Sequence, residues 1–223
     1  MSILIKALFV IGVSYLIGSI SFALLIGKGF YGIDIREQGS GNLGATNTFR
    51  VLGITPGILV LICDILKGVV SVGLASLFFR DAPTLFNSFL QTGTSFASYS
   101  MLDSTVIVAA GFAVIAGHNW SIFLRFSGGK GMATTTGVLL VIAPKIVFAL
   151  FLIWLIVFAL TRYVSLSSVI VAATFPFFMI YFYRGNYPYI AFSLIDAVVT
   201  IYKHRSNMKQ LLKGKESKIG KKS

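Results

Sequence analysis

Acidic residues and cysteine are scarce in this sequence. Its 223 residues include seven Asp and Glu and a single cysteine, Cys63. One cysteine excludes an internal disulfide, and its neighbours provide no metal-ligand spacing. Only 12% of the residues are charged while 56% are hydrophobic, which makes the chain too apolar for a soluble domain of this size. The composition predicts an all-α polytopic integral membrane protein, with no metal, no cofactor and no nucleic-acid partner.

Long uncharged runs indicate the membrane-spanning segments. Residues 7–26 carry no charge, and at 1.5 Å per residue they are long enough to cross a hydrocarbon core of about 30 Å. This run is too long for a signal-peptide core and no small-residue cleavage pattern follows it, so it is interpreted as a retained helix. Further spans are predicted at residues 54–79, 104–117, 166–183 and 187–202.

Residues 132–161 are ambiguous, because Pro144 and Lys145 interrupt the apolar run. The segment could form one kinked helix or two short spans. With two spans, 14 of the 19 Lys and Arg residues lie on one side of the membrane, as the positive-inside rule requires. These basic residues fall within residues 28–53, 118–131, 161–165 and 203–223. One kinked span would instead place the lysine-rich tail outside.

The charge pattern therefore predicts seven transmembrane helices with the N-terminus outside and the C-terminus in the cytoplasm. Residues 1–223 are predicted to form one transmembrane domain, with a basic cytoplasmic tail at residues 203–223. The polar segment 81–103 is expected to be an outer connector. The tail could bind anionic lipid or only fix the topology.

A glycine-rich loop, Ser127-Gly128-Gly129-Lys130-Gly131, lies between two apolar spans. Glycines allow consecutive backbone N–H groups to converge on one anion, and a helix that begins just after them adds its positive dipole end. Phosphate suits such a loop. It is not a Walker A loop, because Leu124 stands where that pattern has glycine and Gly131 where it has Ser or Thr.

Two other polar clusters fall on the same predicted cytoplasmic face. They are residues 39–47 with Arg50, and residues 204–207. Both histidines of the chain, His118 and His204, lie at helix ends on this face and could be helix caps or could exchange protons. Within the second span, Asp64 and Lys67 are neighbours on one helical face and could form an ion pair or contribute to a substrate site. For Asp196 in the last span, a structural role and a role in a substrate site are likewise both left open.

These motifs resemble those of the bacterial acyl-phosphate:glycerol-3-phosphate acyltransferases of the inner membrane. The matching stretches occupy all the cytoplasmic motif positions of that family, so the resemblance covers essentially the whole chain. They are residues 40–50, 117–134, 161–165 and 204–207, with Glu216.

The resemblance implies a seven-helix enzyme that transfers a fatty acyl group from acyl phosphate to the 1-hydroxyl of glycerol 3-phosphate. Lysophosphatidate and inorganic phosphate would be the products, in the first step of phospholipid assembly. The membrane would be the bacterial inner membrane, with the active site on its cytoplasmic side. Besides the two substrates, membrane lipids are the expected partners, and the oligomeric state is not assigned.

The site residues fall into two predicted groups. The catalytic group comprises Ser40, His118, Asn207 and Glu216. The group expected to bind substrate or phosphate comprises Ser40, Gly41, Asn42, Arg50, Lys67, Gly128, Gly129, Lys130, Gly131, Ser165, His204 and Asn207.

The donor is inferred from a missing signature. Acyl-CoA-dependent glycerolipid acyltransferases carry His-x4-Asp, and here Phe123 occupies the Asp position after His118. Arg50, Lys130 and the backbone loops also suit two phosphorylated ligands at once. Either His118 or the donor's own phosphate could take the proton of the glycerol hydroxyl. The alternative function is a transporter of an anionic phosphorylated metabolite.

The charge asymmetry makes a testable topology prediction. In a Cys63→Ala background, Ser88→Cys should react with an impermeant thiol reagent in intact cells, because residue 88 is expected outside. Ser223→Cys should be protected until the cells are lysed. Labelling of residue 223 from outside would contradict the seven-helix topology.

Overall fold

The computed structural model describes residues 2–79 and 101–218, and the secondary structure in these ranges is helical apart from turns, one isolated bridge and connecting segments. Residues 80–100, which hold most of the predicted outer connector, and the last five residues of the tail lie outside the described residues, and residues 101–103 begin a helix. The α-helices are α1 Ile3–Ser19, α2 Phe22–Tyr31, α3 Ala45–Leu52, α4 Ile54–Phe79, α5 Met101–Asn119, α6 Met132–Ile142, α7 Pro144–Thr161, α8 Val164–Phe182, α9 Tyr187–Lys203 and α10 Arg205–Leu212.

The sequence predicts one continuous helix over residues 7–26, but the structure has two helices in this run. Helix α1 ends at Ser19 and α2 begins at Phe22, with Ile20 in an extended conformation and Ser21 accepting a hydrogen bond from the backbone N–H of Leu24. The predicted first span is present as the candidate span Ile3–Tyr31, and only its continuity was wrong, because hydropathy is insensitive to a break when the residues around it remain uncharged. Side chains from α4 and the segment after α5 bind the carbonyl groups that the break leaves without helical partners.

Residues 2–142 form one compact unit. In this unit α1 crosses α5 where Gly18 faces the backbone of Val114 and Gly117 faces the backbone of Tyr15, so a Cβ at either glycine would overlap the neighbouring helix. Small residues at such crossings let membrane helices approach closely. Helix α4 packs against α6 at Gly68 and Gly137, and it also contacts α1 and α5. The central position of α4 places its charged residues inside this unit.

The ambiguous stretch forms two helices, α6 and α7, separated by Ala143. Ala143 has φ −148° and ψ 54°, outside the helical region. Pro144 begins α7, where its missing N–H has no helical partner to lose. The predicted interruption at Pro144 is therefore confirmed as a break between two helices.

Residues 143–218 form the second compact unit, built from α7 to α10. Helix α8 packs against α7 and α9, with Trp154 Nε1 donating to Ser168 Oγ at 3.4 Å and the rings of Phe175 and Phe192 in edge contact. The short helix α10 follows α9 after His204 and contacts both α8 and α9.

Five helical stretches among the described residues are long and apolar enough to cross a membrane. They are Ile3–Tyr31, Ile54–Phe79, Met101–Asn119, Pro144–Thr161 and Val164–Phe182. Helix α6 has 11 residues and α9 has 17, so both are shorter than a typical span. The all-helical, membrane-embedded class of the protein is thus confirmed.

Candidate active site

The break between α1 and α2 is the centre of the site in the first unit. Three consecutive carbonyl groups, of Gly18, Ser19 and Ile20, turn away from helical partners there. Lys67 Nζ donates to Gly18 O at 3.2 Å and to Ile20 O at 3.3 Å, and Ser121 Oγ donates to Ser19 O at 2.6 Å. Buried carbonyls need such partners. A cation near a helix C-terminus is also favoured by the helix dipole.

Lys67 also joins two further side chains. Its Nζ lies 2.8 Å from Asp64 Oδ1, which confirms the ion pair that the spacing of these residues suggested. The same Nζ lies 2.6 Å from His118 Nδ1, at the end of α5. Lys67 is 4% exposed, Asp64 2% and His118 8%. The contacts of Lys67 in the structure are therefore internal, although the sequence predicted that it binds substrate phosphate.

The glycine-rich loop wraps around His118. The backbone N–H of Gly129 donates to His118 O at 2.9 Å, and a Cβ at Gly129 would overlap the imidazole at Nε2. Ser121 and Ser127 close the preceding turn through an N–H to carbonyl bond of 3.1 Å. Helix α6 begins at Met132, directly after the loop, so the predicted helix N-terminus behind the glycines is confirmed.

A small cleft brings these parts together. It is bordered by the helix break, the imidazole, the glycine loop and two leucines, so its lining is partly polar and partly apolar. Its lining residues are Gly18, Ser19, Ile20, Ser21, Leu43, His118, Ser121, Leu124, Gly128 and Gly129. Leu43 comes from the first predicted motif, so the structure places parts of the first and second motifs at one cleft.

The first motif is held in place by Asn47. Its Oδ1 accepts from the Ser40 N–H at 2.8 Å, and its Nδ2 donates to Gln38 O at 3.0 Å and to Ile35 O at 3.2 Å. Asn47 is buried, whereas Ser40 and Arg50 are exposed. This amide fixes the loop on which the predicted ligand-binding groups lie.

Three further residues complete the first loop. Gly41 has a positive φ of 69°, and Asn42 is half-buried just before α3. Upstream, hydrogen bonds from Arg36 and Lys28 hold the pKa of the half-buried Asp34 well below its usual range. Asp34 therefore stays ionised and links the end of α2 to the turn that follows it.

The third motif is assembled in the second unit. Glu216 Oε1 accepts from Ser165 Oγ at 3.0 Å and from Asn207 Nδ2 at 2.8 Å, so the segment after α10 folds back onto the start of α8. Ser165 and Glu216 are buried. His204 is also buried, and its Nδ1 lies 2.8 Å from Thr200 O. Four predicted site residues thus belong to this unit.

Several residues of the site were not predicted from the sequence. The sequence motifs assign no role to Asn47, which lies within residues 39–47, or to Ser121 and the carbonyls of the helix break. The available signal was the polar run Gly18-Ser19 and Ser21 inside an apolar segment. Lys130 is half-buried in the glycine loop, as expected for a residue at its edge. No group of three or more His, Cys, Asp or Glu in residues 2–79 and 101–218 could hold a metal.

These features define a class of protein: a polytopic membrane enzyme with phosphate-suited loops above buried polar side chains. Comparison with known proteins narrows the class. The family described as "Glycerol-3-phosphate acyltransferase" matches residues 8–214. The Moorella thermoacetica "Glycerol-3-phosphate acyltransferase 2" is 47% identical over 211 residues, covering 95% of this chain and 96% of that protein. A Desulforamulus reducens glycerol-3-phosphate acyltransferase is 40% identical, covering 94% and 93%.

The chain is also similar to a solved structure of the same enzyme class. It is PlsY (YgiH), an integral membrane glycerol 3-phosphate acyltransferase. Its glycerol 3-phosphate form is 35% identical to this chain with a TM-score of 0.80, covering 96% of each chain. Its lysophosphatidic acid form is 34% identical with a TM-score of 0.78, covering 96% and 95%.

The chain belongs to the glycerol-3-phosphate acyltransferase family, as its motifs indicated. The enzymatic interpretation is confirmed, and the relatives named above are acyltransferases rather than transporters.

The close packing of Gly129 against His118 predicts a sharp effect of one added methyl group. Gly129→Ala should destabilise the protein by about 1–3 kcal/mol, because Lys67 holds the imidazole and prevents it from moving aside. The thermal midpoint in detergent would measure this change. Gly12→Ala is the matched control, since no atom lies near its added Cβ. Equal midpoints for the two variants would contradict the packing described here.

Proposed function

We propose that the protein transfers a fatty acyl group from acyl phosphate to the 1-hydroxyl of glycerol 3-phosphate. Membership of the family over residues 8–214 is the observation that carries this function. The solved relative supports it through the two forms in which it was determined, named for glycerol 3-phosphate and lysophosphatidic acid. These compounds are the acceptor and the product of the proposed reaction.

Acyl phosphate is the proposed donor for two reasons. Phe123 replaces the carboxylate of the His-x4-Asp signature that acyl-CoA-dependent enzymes use. The site also offers cationic and backbone groups suited to a second phosphate, beside the one on the acceptor.

The chemistry needs one bond formed and one broken. The glycerol oxygen attacks the carbonyl carbon of the donor, the bond from that carbon to the phosphate oxygen breaks, and phosphate leaves. The hydroxyl proton passes to an imidazole or to the donor phosphate. Because the leaving group is already a good one, holding the two substrates in line supplies most of the acceleration, up to about 7–11 kcal/mol in well-oriented cases.

In the first unit, Arg50 and Lys130 are the proposed phosphate-binding cations. Gly128 to Gly131 would present backbone N–H groups, and α6 behind them adds its positive end. Ser40, Gly41 and Asn42 would add the polar groups of the loop that Asn47 fixes.

In the second unit, Ser165, Asn207 and Glu216 form a hydrogen-bonded group that we assign to the same reaction. Glu216 Oε1 accepts from both neighbours, so it orients the Ser165 hydroxyl and the Asn207 amide. His204 lies at the end of α9, where its Nδ1 bonds a backbone carbonyl. This bond holds the ring against the last turn of α9.

The proposed topology has seven spans, with α6 and α9 as the two short ones and α1 with α2 as a broken first span. The N-terminus would lie outside, the C-terminus inside, and every motif on the cytoplasmic side of the bacterial inner membrane. The positive charge of the predicted cytoplasmic segments supports this orientation.

The reaction is tested directly with purified protein. Acyl phosphate and glycerol 3-phosphate should give lysophosphatidate and inorganic phosphate in the presence of a metal chelator, and acyl-CoA should not replace acyl phosphate. Product analysis by mass spectrometry measures both outcomes. Turnover with acyl-CoA at the rate seen with acyl phosphate would disprove the donor assignment.

Arg50→Ala and Lys130→Ala test the phosphate-binding role. Each should lower kcat/KM for at least one substrate by about 1.5–3 kcal/mol, the value of a charge-assisted hydrogen bond. Arg184→Ala and Lys145→Ala are matched controls, because both residues are exposed and lie on the predicted outer side. Kinetics equal to these controls would mean that the site variants remove no substrate contact.

A further inference from the structure

Lys67 is a buried cation whose contacts are with the protein itself. Its Nζ has three hydrogen-bond partners in the structure: Gly18 O, Ile20 O and His118 Nδ1. An ammonium group has three protons and no lone pair. Asp64 Oδ1, 2.8 Å from the same Nζ, supplies the opposite charge, so four acceptors surround the three protons of the ammonium.

The contact with His118 fixes the protonation of that ring. A carbonyl can only accept a hydrogen bond, and an ammonium can only donate one. With Lys67 charged against Asp64, His118 Nδ1 at 2.6 Å accepts from the ammonium, and the ring proton lies on Nε2. Asp64 Oδ1 also faces Nδ1, but at 3.6 Å it is beyond hydrogen-bond distance. Nε2 is the nitrogen beside Gly129, at the cleft.

We infer that Lys67 is a positioning residue of this enzyme: it locks His118 in the Nε2–H tautomer, so that the imidazole faces the cleft as a hydrogen-bond donor and not as a base. This inference rests on the proposed function. It assigns to the His118 ring the stabilisation of an oxygen that gains negative charge, on the donor or the leaving phosphate. The proton of the glycerol hydroxyl then goes to the phosphate of the acyl donor, which leaves as protonated inorganic phosphate.

The second histidine has the opposite arrangement. His204 Nδ1 faces the carbonyl of Thr200 at 2.8 Å, and a carbonyl requires a donor, so Nδ1 carries a proton. When neutral, the ring has its acceptor at Nε2. Since the chain has only these two histidines, each serves as the internal reference for the other.

Nitrogen NMR of the full-length protein, labelled only at histidine, tests the inference without any assay of activity. The prediction is an unprotonated Nδ1 with a protonated Nε2 for His118, and the reverse for His204, with His204→Gln assigning the signals. A proton on Nδ1 of His118 in the unmodified protein would overturn the proposal, whatever the protein catalyses.

Removing the ammonium separates positioning from packing. Lys67→Met is combined with Asp64→Asn so that no lone carboxylate is left buried. In this double variant the proton of His118 should no longer be confined to Nε2, while the tautomer of His204 should be unchanged. We expect kcat to fall about 10²-fold and KM for glycerol 3-phosphate to change far less. Lys145→Met is the matched control and should alter neither signal nor rate. An unchanged His118 tautomer in the folded double variant would refute the role of Lys67.

Discussion

The ammonium group of Lys67 is the interaction on which the first unit depends. It lies on a long apolar helix, where an unpaired charge would cost about 2.5–3.5 kcal/mol at mid-membrane. The protein offsets this with Asp64 and with the carbonyls that the break between α1 and α2 exposes. The charge and the break thus stabilise each other: without the ammonium the carbonyls lose their donor, and without the break the ammonium loses two acceptors.

Two parts of the site are connected to the Lys67 ammonium: the glycine loop, through His118, and helix α2, through the helix break. His118 Nδ1 brings the end of α5 to the ammonium, and the His118 carbonyl binds the glycine loop through Gly129. The break itself redirects the chain into α2, whose apolar side packs with Ile35, Leu43 and Val60. Both glycine-bearing loops are therefore linked to the helix break, one through His118 and the other through α2.

Much of this could be predicted from the sequence. The glycines of residues 128–131 predict the start of a helix, and α6 begins directly after them. The spacing of three residues between Asp64 and Lys67 predicts their contact, and Pro144 within a long apolar run predicts the break that the structure has at Ala143. The break at Ile20 could not be predicted in the same way. It exists because Lys67 and Ser121, distant in sequence, supply donors to its carbonyls. The role of Asn47 is equally non-local, since its amide bonds three backbone groups up to twelve residues away.

The account makes Lys67 act on catalysis through His118, and a double-mutant cycle tests that link most directly. Relative to the unmodified protein, kcat is measured for Lys67→Met combined with Asp64→Asn, for His118→Ala, and for all three substitutions together. If the ammonium works by holding the imidazole, the loss caused by the double variant disappears once His118 is absent, and the triple variant is no slower than His118→Ala. If the two losses multiply instead, Lys67 acts independently of His118, and the account is contradicted.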